Sequence, residues 1–381
     1  MRIVIVRREQ GIALSMDIYA DNLVAGLRTI HPDWDIVEIA PEPWSKQGNQ
    51  WQSGTGLRKY YERLWRHPQA VQRLEGDIFH IIDHSNAHVA YWLKHKSCKI
   101  IVTCHDLVQF IYPEILKGQS RFPALSMASW KYSVGGIAGA ARTIAVSTNT
   151  ANDVAQLLHI PPAHIAVVPN GVESYFHRLP ATKIAAIRQR YESSPTSFCL
   201  LNVGSNHHRK NLPTVLRALV MLRDRGVDVK LWKVGEKFAP ELSAFIQSHQ
   251  LESMITFIDR PDKTTLLEIY NAADVLLAPS LYEGFGLTIL EAMACGTPVI
   301  TSNVSSLPEV AGNAAILVDP LDIEAIVAAV CRLRQDANYY QATIELGVER
   351  ASLFTWLKAA EQTASIYEDS LKTTQQTPVK P

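Results

Sequence analysis

The sequence is poor in the features that mark several classes of protein. Its 381 residues carry 37 basic and 37 acidic side chains, so the formal net charge is zero. A protein devoted to nucleic-acid binding ordinarily shows a strong basic excess, which is missing here. No apolar run approaches the about 18 residues that a membrane-spanning helix needs. The first residues, MRIVIVRREQ, form a short apolar run followed at once by charge, which does not fit a secretory signal.

Cysteines and metal-ligand patterns are also scarce. The five cysteines are scattered, odd in number and without metal-ligand spacing, at Cys98, Cys104, Cys199, Cys295 and Cys331. This pattern fits reduced thiols in a cytosol better than a disulfide framework, so we expect a cytoplasmic protein. His84 and His88 lie four residues apart, but no third ligand is evident beside them. We therefore expect hydrogen-bonded histidines and no metal there.

Short apolar runs alternate with stretches of helical spacing along the chain. The first half contains RIVIV, WDIVEIA, GDIFHIID, KIIVTCHD, RTIAVS and IAVVPNG, and the second half contains SFCLLNVG, VKLWKVG, MITFID, DVLLAPS, TPVITS and AAILVDP. Runs that are apolar on both faces are typical of parallel strands covered by helices. The sequence therefore predicts an α/β protein with two doubly wound, Rossmann-like domains that face each other across a cleft.

The boundary between these domains is expected where proline and polar residues interrupt the pattern. The segment FHRLPATKIAA, around 176–186, does so. We predict an N-terminal domain over 1–178 and a C-terminal domain over 179–353. A helix over 354–371 is expected to complete the N-terminal domain, and 372–381 reads as a flexible tail.

One stretch of the second half, ADVLLAPSLYEGFGLTILEAMACGTPVITS at 273–302, combines a strand, a glycine-rich loop and a helix. Its loop lies at the carboxyl edge of the predicted sheet, where doubly wound folds bind ligands. Gly284 and Gly286 carry no Cβ atoms that would keep a ligand away from the backbone. The helix that starts at Leu287 offers unpaired N–H groups and a positive dipole end to an anion, most plausibly a phosphate.

A glutamate stands on each side of this phosphate site. Glu283 precedes it and is placed to accept hydrogen bonds from hydroxyls beyond the phosphate. Glu291 lies inside the helix and could hold two adjacent hydroxyls, as a ribose presents them. A helical glutamate is ordinarily just solvated, but the whole string describes a site for a nucleotide sugar.

Two more groups at predicted strand ends point to chemistry. Arg209 and Lys210 follow the strand FCLLNVG and could neutralise the charge that grows on a departing diphosphate. His105 and Asp106 end the strand KIIVTC. A lone histidine is more often structural, but its position at a strand end in a cleft protein favours a function.

These motifs resemble the signature of glycosyltransferase family 4 (glycosyl transferases group 1), which comprises retaining enzymes with the GT-B fold. LNVGSNHHRKNL resembles the diphosphate-binding loop of that family, and VVPNGVESYF resembles its interdomain segment. The resemblance implies that Lys210 contacts the diphosphate. Many members have a second basic residue where Ser205 stands here, and Arg209 would take its place.

The resemblance also implies roles for residues outside the two glutamates. The donor would contact Gly204, Ser205 and Asn170, together with the motif residues Gly284, Phe285, Gly286 and Leu287. His105 would lie near the transferred sugar and help, with Asp106, to position the acceptor. Gly11 would also contact the donor, because it belongs to a first loop that lies next to the donor phosphate and the acceptor in family members. That loop is glycine-rich in the family but not here, so acceptor placement at this loop is open.

The function implied is transfer of a hexose from a nucleotide diphosphate donor to a hydroxyl of a glycan or lipid-linked acceptor. The configuration of the sugar would be retained, and neither a metal nor another cofactor would be required. The motif style suggests GDP-mannose as the first donor to test. The alternatives are a nucleotide-sugar epimerase of the same fold and a non-catalytic nucleotide-sugar-binding protein. An oxidoreductase is disfavoured because no G-x-G-x-x-G follows the first strand.

The segment 57–74, LRKYYERLWRHPQAVQRL, mixes basic and aromatic residues. Five cations lie among aromatic and apolar side chains, at Arg58, Lys59, Arg63, Arg66 and Arg73. Such a pattern could form an amphipathic patch that meets anionic lipid at the inner face of the membrane. Equally, it could form an ordinary surface helix whose aromatic residues face the core.

Overall fold

The computed structural model describes residues 1–11, 14–41, 60–113, 123–191 and 197–372, and these form two compact units. The first unit comprises Met1–Gly171 and the terminal segment Trp356–Pro381, and the second comprises Val172–Thr355. Each unit is built on one six-stranded parallel sheet. The α/β prediction with two parallel sheets is confirmed, and each of the twelve apolar runs contains a strand.

The sheet of the first unit has the order β2-β1-β3-β4-β5-β6. Its strands are β1 Arg2–Val6, β2 Asp35–Ile39, β3 Ile78–Ile81, β4 Lys99–Cys104, β5 Arg142–Ala145 and β6 Ile165–Val167. The helices of this unit are α1 Leu14–Ile30, α2 His67–Gln72, α3 Val89–Leu93, α4 Val108–Ile111, α5 Pro123–Gly135, α6 Thr148–Leu158 and, at the end of the chain, α15 Trp356–Lys372.

Alternation along β1 shows why the strands of this unit are apolar throughout. Ile3 and Ile5 pack into the cluster formed with α1 and α15, whereas Val4 and Val6 pack into the cluster on the other face of the sheet. Successive side chains of a strand point to opposite faces, and both faces here are covered by helices. Polar residues are therefore excluded from most of β1.

The sheet of the second unit has the order β12-β11-β10-β7-β8-β9. Its strands are β7 Phe198–Gly204, β8 Val229–Gly235, β9 Ile255–Asp259, β10 Val275–Ala278, β11 Val299–Ser302 and β12 Ile316–Val318. Its helices are α7 Ala181–Arg190, α8 Leu212–Asp224, α9 Pro240–Ser248, α10 Lys263–Ala272, α11 Leu287–Ala294, α12 Leu307–Ala311, α13 Ile323–Gln335 and α14 Ala337–Ser352. The order reverses direction beside β7 and β10, so loops that follow these central strands lie at the topological switch point where such sheets bind ligands.

The helix α15 packs on the first unit through both apolar and polar contacts. It lies so close to α1 that a Cβ atom built on Gly26 would be 2.7 Å from the Cβ atom of Ala360. The Tyr367 hydroxyl lies 2.6 Å from Nδ1 of His80 in β3, and Nε2 of His80 lies 2.7 Å from Oγ1 of Thr103 in β4. The C-terminal helix therefore closes one face of the first sheet.

The chain passes from the first unit to the second after Gly171, earlier than the predicted boundary at 178. Two contacts explain the difference. The Val172 N–H donates to the Phe354 carbonyl at 2.9 Å, and the Phe176 ring packs edge-on against Tyr270 with centroids 5.7 Å apart. Residues just before the polar interruption thus already pack in the second unit. Of the predicted tail, residues 373–381 lie outside the described part of the chain.

None of the helices in the described residues is both long enough and apolar enough to cross a bilayer.

Candidate functional site

The glycine-rich turn between β10 and α11 has the backbone that its sequence predicts. Gly286 has a φ of 105° and immediately precedes Leu287, the first residue of α11. This conformation is in the region that favours glycine. A Cβ atom at Gly286 would also lie 3.0 Å from the Leu307 side chain. Gly284 and Phe285 are buried in the same turn, so the start of α11 is held by packing on both sides.

Glu283 is buried beside this turn, and both of its carboxylate oxygens are engaged. Oε1 accepts hydrogen bonds from Ser280 Oγ at 2.9 Å and lies 2.7 Å from Nζ of Lys210, and Oε2 accepts from the Arg209 guanidinium. Burial alone would raise the pKa of Glu283, but Arg209 and Lys210 outweigh it and lower the pKa to about 2. The carboxylate is therefore charged at any physiological pH.

The backbone of Glu283 is held as firmly as its side chain. Its N–H donates to Ser305 Oγ at 3.1 Å, and its carbonyl accepts from the hydroxyls of Ser305 at 2.7 Å and Ser306 at 2.8 Å. No local pattern marks these serines as site residues, although they lie in the string SNVSSLPEV that follows the glutamate motif. The contacts of these serines hold the Glu283 backbone in place and so position its side chain.

Lys210 and Arg209 reach Glu283 from the loop after β7. Gly204 ends β7 with a φ of 144°, and a Cβ atom there would lie 3.2 Å from Cε of Lys210. Ser205 follows, half-buried, and a 3₁₀ turn over His208–Lys210 carries the cations. Because Gly204 has no side chain, the stem of Lys210 can pack closely against the end of β7. Burial lowers the pKa of Lys210, whereas Glu283 raises it.

Lys210 is largely buried and ion-paired. Its side chain is only 16% exposed, because Lys210 and Glu283, which are 73 positions apart in the chain, meet at neighbouring strand ends. Removal of Lys210 is therefore expected to affect folding as well as function.

Asn211, another residue that the sequence analysis missed, ties this basic loop to the strand ends. Its Nδ2 donates to the carbonyls of Pro279 at 3.0 Å and Pro320 at 2.7 Å. Asn211 adopts a φ of 55°, which asparagine tolerates better than most residues. The loop that carries Arg209 and Lys210 is therefore fixed to the segment after β10.

Glu291 lies in α11 and shares its carboxylate with a tyrosine. The Tyr270 hydroxyl donates to Glu291 Oε2 at 2.7 Å. Burial raises the pKa of Glu291 to about 7, against the lowering effect of the Tyr270 hydrogen bond and of Lys210. Tyr270 comes from α10, and no local motif marked it. Among the described residues, Tyr270 is the hydrogen-bond donor to this carboxylate, and it uses only Oε2.

The second unit thus brings together most of the predicted donor residues, whereas the remaining ones lie in the first unit. His105 is buried there, with Nε2 donating to the Ile82 carbonyl at 2.8 Å. Burial lowers its pKa, and Asp83 opposes this, so the ring is neutral. Because Nε2 carries the proton, Nδ1 has the free lone pair. Asp106 uses Oδ1 to accept from the Val108 N–H at 3.2 Å and caps the turn that follows.

Two further donor-site candidates also belong to the first unit. Gly11 is exposed with a φ of 79°, and its N–H donates to the Asp17 carboxylate at 2.9 Å. Asn170 is buried, and its Oδ1 has no hydrogen-bond donor among the described residues. Of the first loop, Ile12 and Ala13 lie outside the described part of the chain.

The basic and aromatic segment 57–74 divides into two kinds of residue. Tyr61 and Trp65 are about half exposed, at 54% and 53%. Arg63, however, turns inward to the Ser85 carbonyl and the Ser133 hydroxyl, so it is not a surface cation. Arg58 and Lys59 lie outside the described residues.

His84 and His88 follow the hydrogen-bonding expectation. His88 Nε2 lies 2.8 Å from the Arg63 carbonyl, and His84 Nδ1 lies 3.4 Å from the His105 N–H. Over the described ranges, no group of three or more potential metal-ligating side chains is gathered.

Comparison with known proteins places this site in a family. The family model described as Glycosyltransferase Family 4 matches residues 34–174, and that described as Glycosyl transferases group 1 matches residues 183–350. The two ranges together take in most of the chain and nearly all of the residues discussed above.

Two curated relatives are mannosyltransferases of Escherichia coli. O-antigen chain mannosyltransferase B is 29% identical over 294 residues, which is 73% of this chain and 72% of that protein. Serotype-specific mannosyltransferase WbdA is 25% identical over 320 residues, which is 81% of this chain but only 38% of WbdA. The chain therefore spans well under half of the length of WbdA.

Solved structures share the fold along almost the whole chain. Sucrose-phosphate synthase from Thermosynechococcus elongatus superposes with a TM-score of 0.77 at 21% identity, covering 98% of this chain and all of that one. The Anabaena protein HepE, crystallised with UDP and glucose, superposes with a TM-score of 0.75 at 16% identity, covering 97% of this chain and 99% of that one. The two family models show that the chain belongs to glycosyltransferase family 4, and the likeness to solved structures shows its GT-B fold.

Proposed function

We propose that the protein is a retaining hexosyltransferase that moves a sugar from a nucleotide diphosphate donor to a hydroxyl of a glycan or lipid-linked acceptor. Mannose from GDP-mannose is the first candidate. The observation that carries the proposal is the cluster of Arg209, Lys210 and Glu283 beside the start of α11. The two mannosyltransferase relatives support the choice of sugar, and the O-antigen chain on which the first is named to act supports a polysaccharide acceptor.

The cluster suits a leaving group that gains negative charge. Lys210 and the N–H groups at the start of α11 would face the diphosphate and stabilise it as the bond to the sugar breaks. Glu283 holds Lys210 and Arg209 in place before the donor binds. Because these partners are already positioned, little reorganisation is needed during the reaction.

Retention in this proposal does not use an enzyme carboxylate as the nucleophile. Glu283 is charged but bound on both oxygens by cations and Ser280, and Glu291 is bonded to Tyr270. The acceptor hydroxyl would instead attack from the face that the diphosphate leaves, and a donor phosphate oxygen would take its proton. No metal enters this mechanism, since cations of the chain meet the phosphate charge.

The protein as expressed would be incubated with GDP-mannose and a panel of other nucleotide sugars, and free nucleotide would be measured with and without excess chelator. We expect slow hydrolysis of one donor, unaffected by chelator, and an acceptor product whose anomeric configuration by NMR equals that of the donor. An inverted product, or loss of turnover with chelator, would overturn the mechanism. Epimerised donor without nucleotide release would favour the epimerase, and binding without turnover would favour the binding protein.

We also propose that the segment 57–74 contacts anionic lipid, although with fewer surface cations than its sequence suggests. The exposed rings of Tyr61 and Trp65 support it, and the inward position of Arg63 removes one of its cations. We expect the protein to sediment with anionic vesicles, less so as the salt concentration rises, and we expect the Trp65→Ser variant to lose this binding. Equal recovery of both proteins would leave the segment with a structural role only.

A further inference from the structure

Lys233 is a charged residue in the middle of the second sheet. It lies in β8, two residues before the strand ends at Gly235, and none of its surface is exposed. Its neighbours Trp232 and Val234 are buried as well. Lysine is almost never fully buried unless its ammonium group has partners, because removing the charge from water is unfavourable.

The partners of this ammonium group are backbone carbonyls. Nζ of Lys233 donates to the Gly204 carbonyl at 2.6 Å and to the Val234 carbonyl at 2.9 Å. No carboxylate of the described residues lies within 4.0 Å of this nitrogen. With no carboxylate in contact, the positive charge of Lys233 is compensated only in part, by the more distant Glu236.

Lys233 binds the carbonyl of Gly204, the last residue of β7, after which the loop that carries Arg209 and Lys210 begins. Gly204 and Gly235 are paired across β7 and β8, and a Cβ atom at Gly235 would lie 2.5 Å from the Gly204 carbonyl oxygen. The stem of Lys210 passes Gly204 at close range, 3.2 Å from where a Cβ atom would be. The Gly204 peptide that Lys233 binds therefore lies beside the stem of Lys210, whose ammonium group pairs with Glu283.

We propose that Lys233 is a positioning residue for the donor diphosphate: it fixes the Gly204 peptide that places Lys210, and its buried charge adds to the positive potential at the site. The inference rests on the proposed function, because it assumes that an anion binds beside Lys210. Lys233 adds a third positive charge to those of Arg209 and Lys210, and the carboxylates that act on these cations are Glu283, Glu236 and Glu291. The charge of Lys233 favours a nearby diphosphate even though Lys233 does not touch it.

The charge of Lys233 should make anion binding depend on pH. Burial and the nearby charge of Lys210 lower the pKa of Lys233 to about 8, against the opposing effect of Glu236. A bound diphosphate stabilises the charged ammonium, so binding raises this pKa and takes up a proton above about pH 8. The affinity for a nucleoside diphosphate should therefore decrease as pH rises through 8.

The test compares Lys233→Met, which keeps an unbranched apolar stem but removes the ammonium group, with Lys230→Met on the same strand. Binding of GDP and UDP, and of guanosine and uridine, would be measured by calorimetry from pH 7 to about 9.5, with folding checked by circular dichroism. We expect Lys233→Met to weaken diphosphate binding about tenfold to a hundredfold, as removal of an outer-shell partner does at metal sites. Nucleoside binding and the Lys230→Met control should be unchanged.

Two outcomes would overturn the inference. The first is that Lys233→Met folds and binds the diphosphate as tightly as the unchanged protein does at every pH. The second is that the diphosphate affinity of the unchanged protein does not fall above pH 8. This second outcome can be measured even if Lys233→Met fails to fold. If the unchanged protein turned over a donor normally, only the role of Lys233 would fail, whereas a protein that binds neither GDP nor UDP would overturn the proposed function as well.

Discussion

At the scale of single residues, charge pairing decides how the candidate site behaves. Glu283 and Lys210 are both largely buried, with side-chain exposures of 10% and 16%. Removing one partner of such a pair leaves the other charge poorly compensated. Arg209 and Ser280 still hold Glu283 when Lys210 is absent, so the loss would be partial.

Lys210→Ala is expected to reduce turnover about 100-fold to 1,000-fold, because one preorganised partner of the leaving group is lost. The same change should lower the free energy of unfolding by about 1–3 kcal/mol, since Glu283 loses one of its partners. Turnover and thermal unfolding would be measured beside Lys237→Ala, an exposed lysine of the same unit. Near-normal turnover would remove Lys210 from the site.

Glu291 should give nucleotide binding a second pH dependence. Burial raises its pKa from 4.5 to about 7, so the carboxylate becomes charged, and a better acceptor for ribose hydroxyls, as pH rises through 7. Donor affinity should rise over that range, and Glu291→Gln should flatten the rise while leaving the decrease above pH 8 that is expected from Lys233. Affinity that is independent of pH between about 5.5 and 7.5 would contradict this role.

The shift of Glu291 acts on stability with the opposite sign. The folded protein binds this proton more tightly than the unfolded chain does. Its contribution to stability is therefore present below pH 4.5 and is lost as pH rises through 7. Binding and stability measurements thus separate the functional effect of Glu291 from its structural one.

At the scale of elements, the helix α15 shows how one segment completes a domain far away in sequence. Tyr367 on α15 contacts His80, which contacts Thr103, and Thr103 also lies 3.0 Å from the Tyr19 hydroxyl. All four side chains are buried among apolar neighbours. Buried polar groups of this kind stabilise only when every member has a partner.

Tyr367→Phe is expected to lower the free energy of unfolding by about 1–3 kcal/mol, because Nδ1 of His80 loses its partner inside the core. Tyr339→Phe removes a hydroxyl from a half-buried ring that lies against Arg332, and serves as the control. Both variants would be unfolded by denaturant. Equal stability of the two would show that the buried contact contributes nothing.

The same contact predicts sensitivity to acid. Burial lowers the pKa of His80 from 6.5 to about 3, so the folded protein keeps the ring neutral while the unfolded chain takes up a proton. The contribution of His80 to stability is therefore present above pH 6.5 and is lost as pH falls toward 3. The buried rings of His67 and His88, with pKa values of about 4, act in the same direction.

At the scale of the whole molecule, the two units differ in how the chain builds them. The second is one continuous segment, Val172–Thr355, whereas the first needs both ends of the chain. The core of the second unit is formed by its own strands and helices. A continuous segment with its own core can in principle fold alone.

A fragment of residues 172–355 is therefore expected to unfold cooperatively and to bind GDP or UDP, because the basic loop and α11 both lie within it. A fragment of residues 1–171 lacks α15, which covers part of the apolar face of its sheet, and should not fold. Circular dichroism, thermal melts and calorimetry would check both. A cooperative transition in 1–171 matching that of the full chain would contradict the role assigned to α15.

The sequence by itself determined the local features of this protein. The apolar runs predicted the twelve strands of the described residues, because a strand buried on both faces tolerates few polar residues. The glycines and the short helix after β10 were also predictable, since backbone conformation at Gly286 is a local property. The resemblance in motifs was enough to identify the family.

Only the tertiary structure decided which side chains meet. Arg209 and Glu283 lie 74 positions apart, and Asn211 bonds to Pro320 across 109 positions. Parallel strands joined by helices bring such residues to one sheet edge, and no local pattern records which strands become neighbours. For the same reason, the contact of Tyr270 with Glu291 and that of Lys233 with Gly204 could not be predicted from the sequence, because in each case the partner comes from a different element.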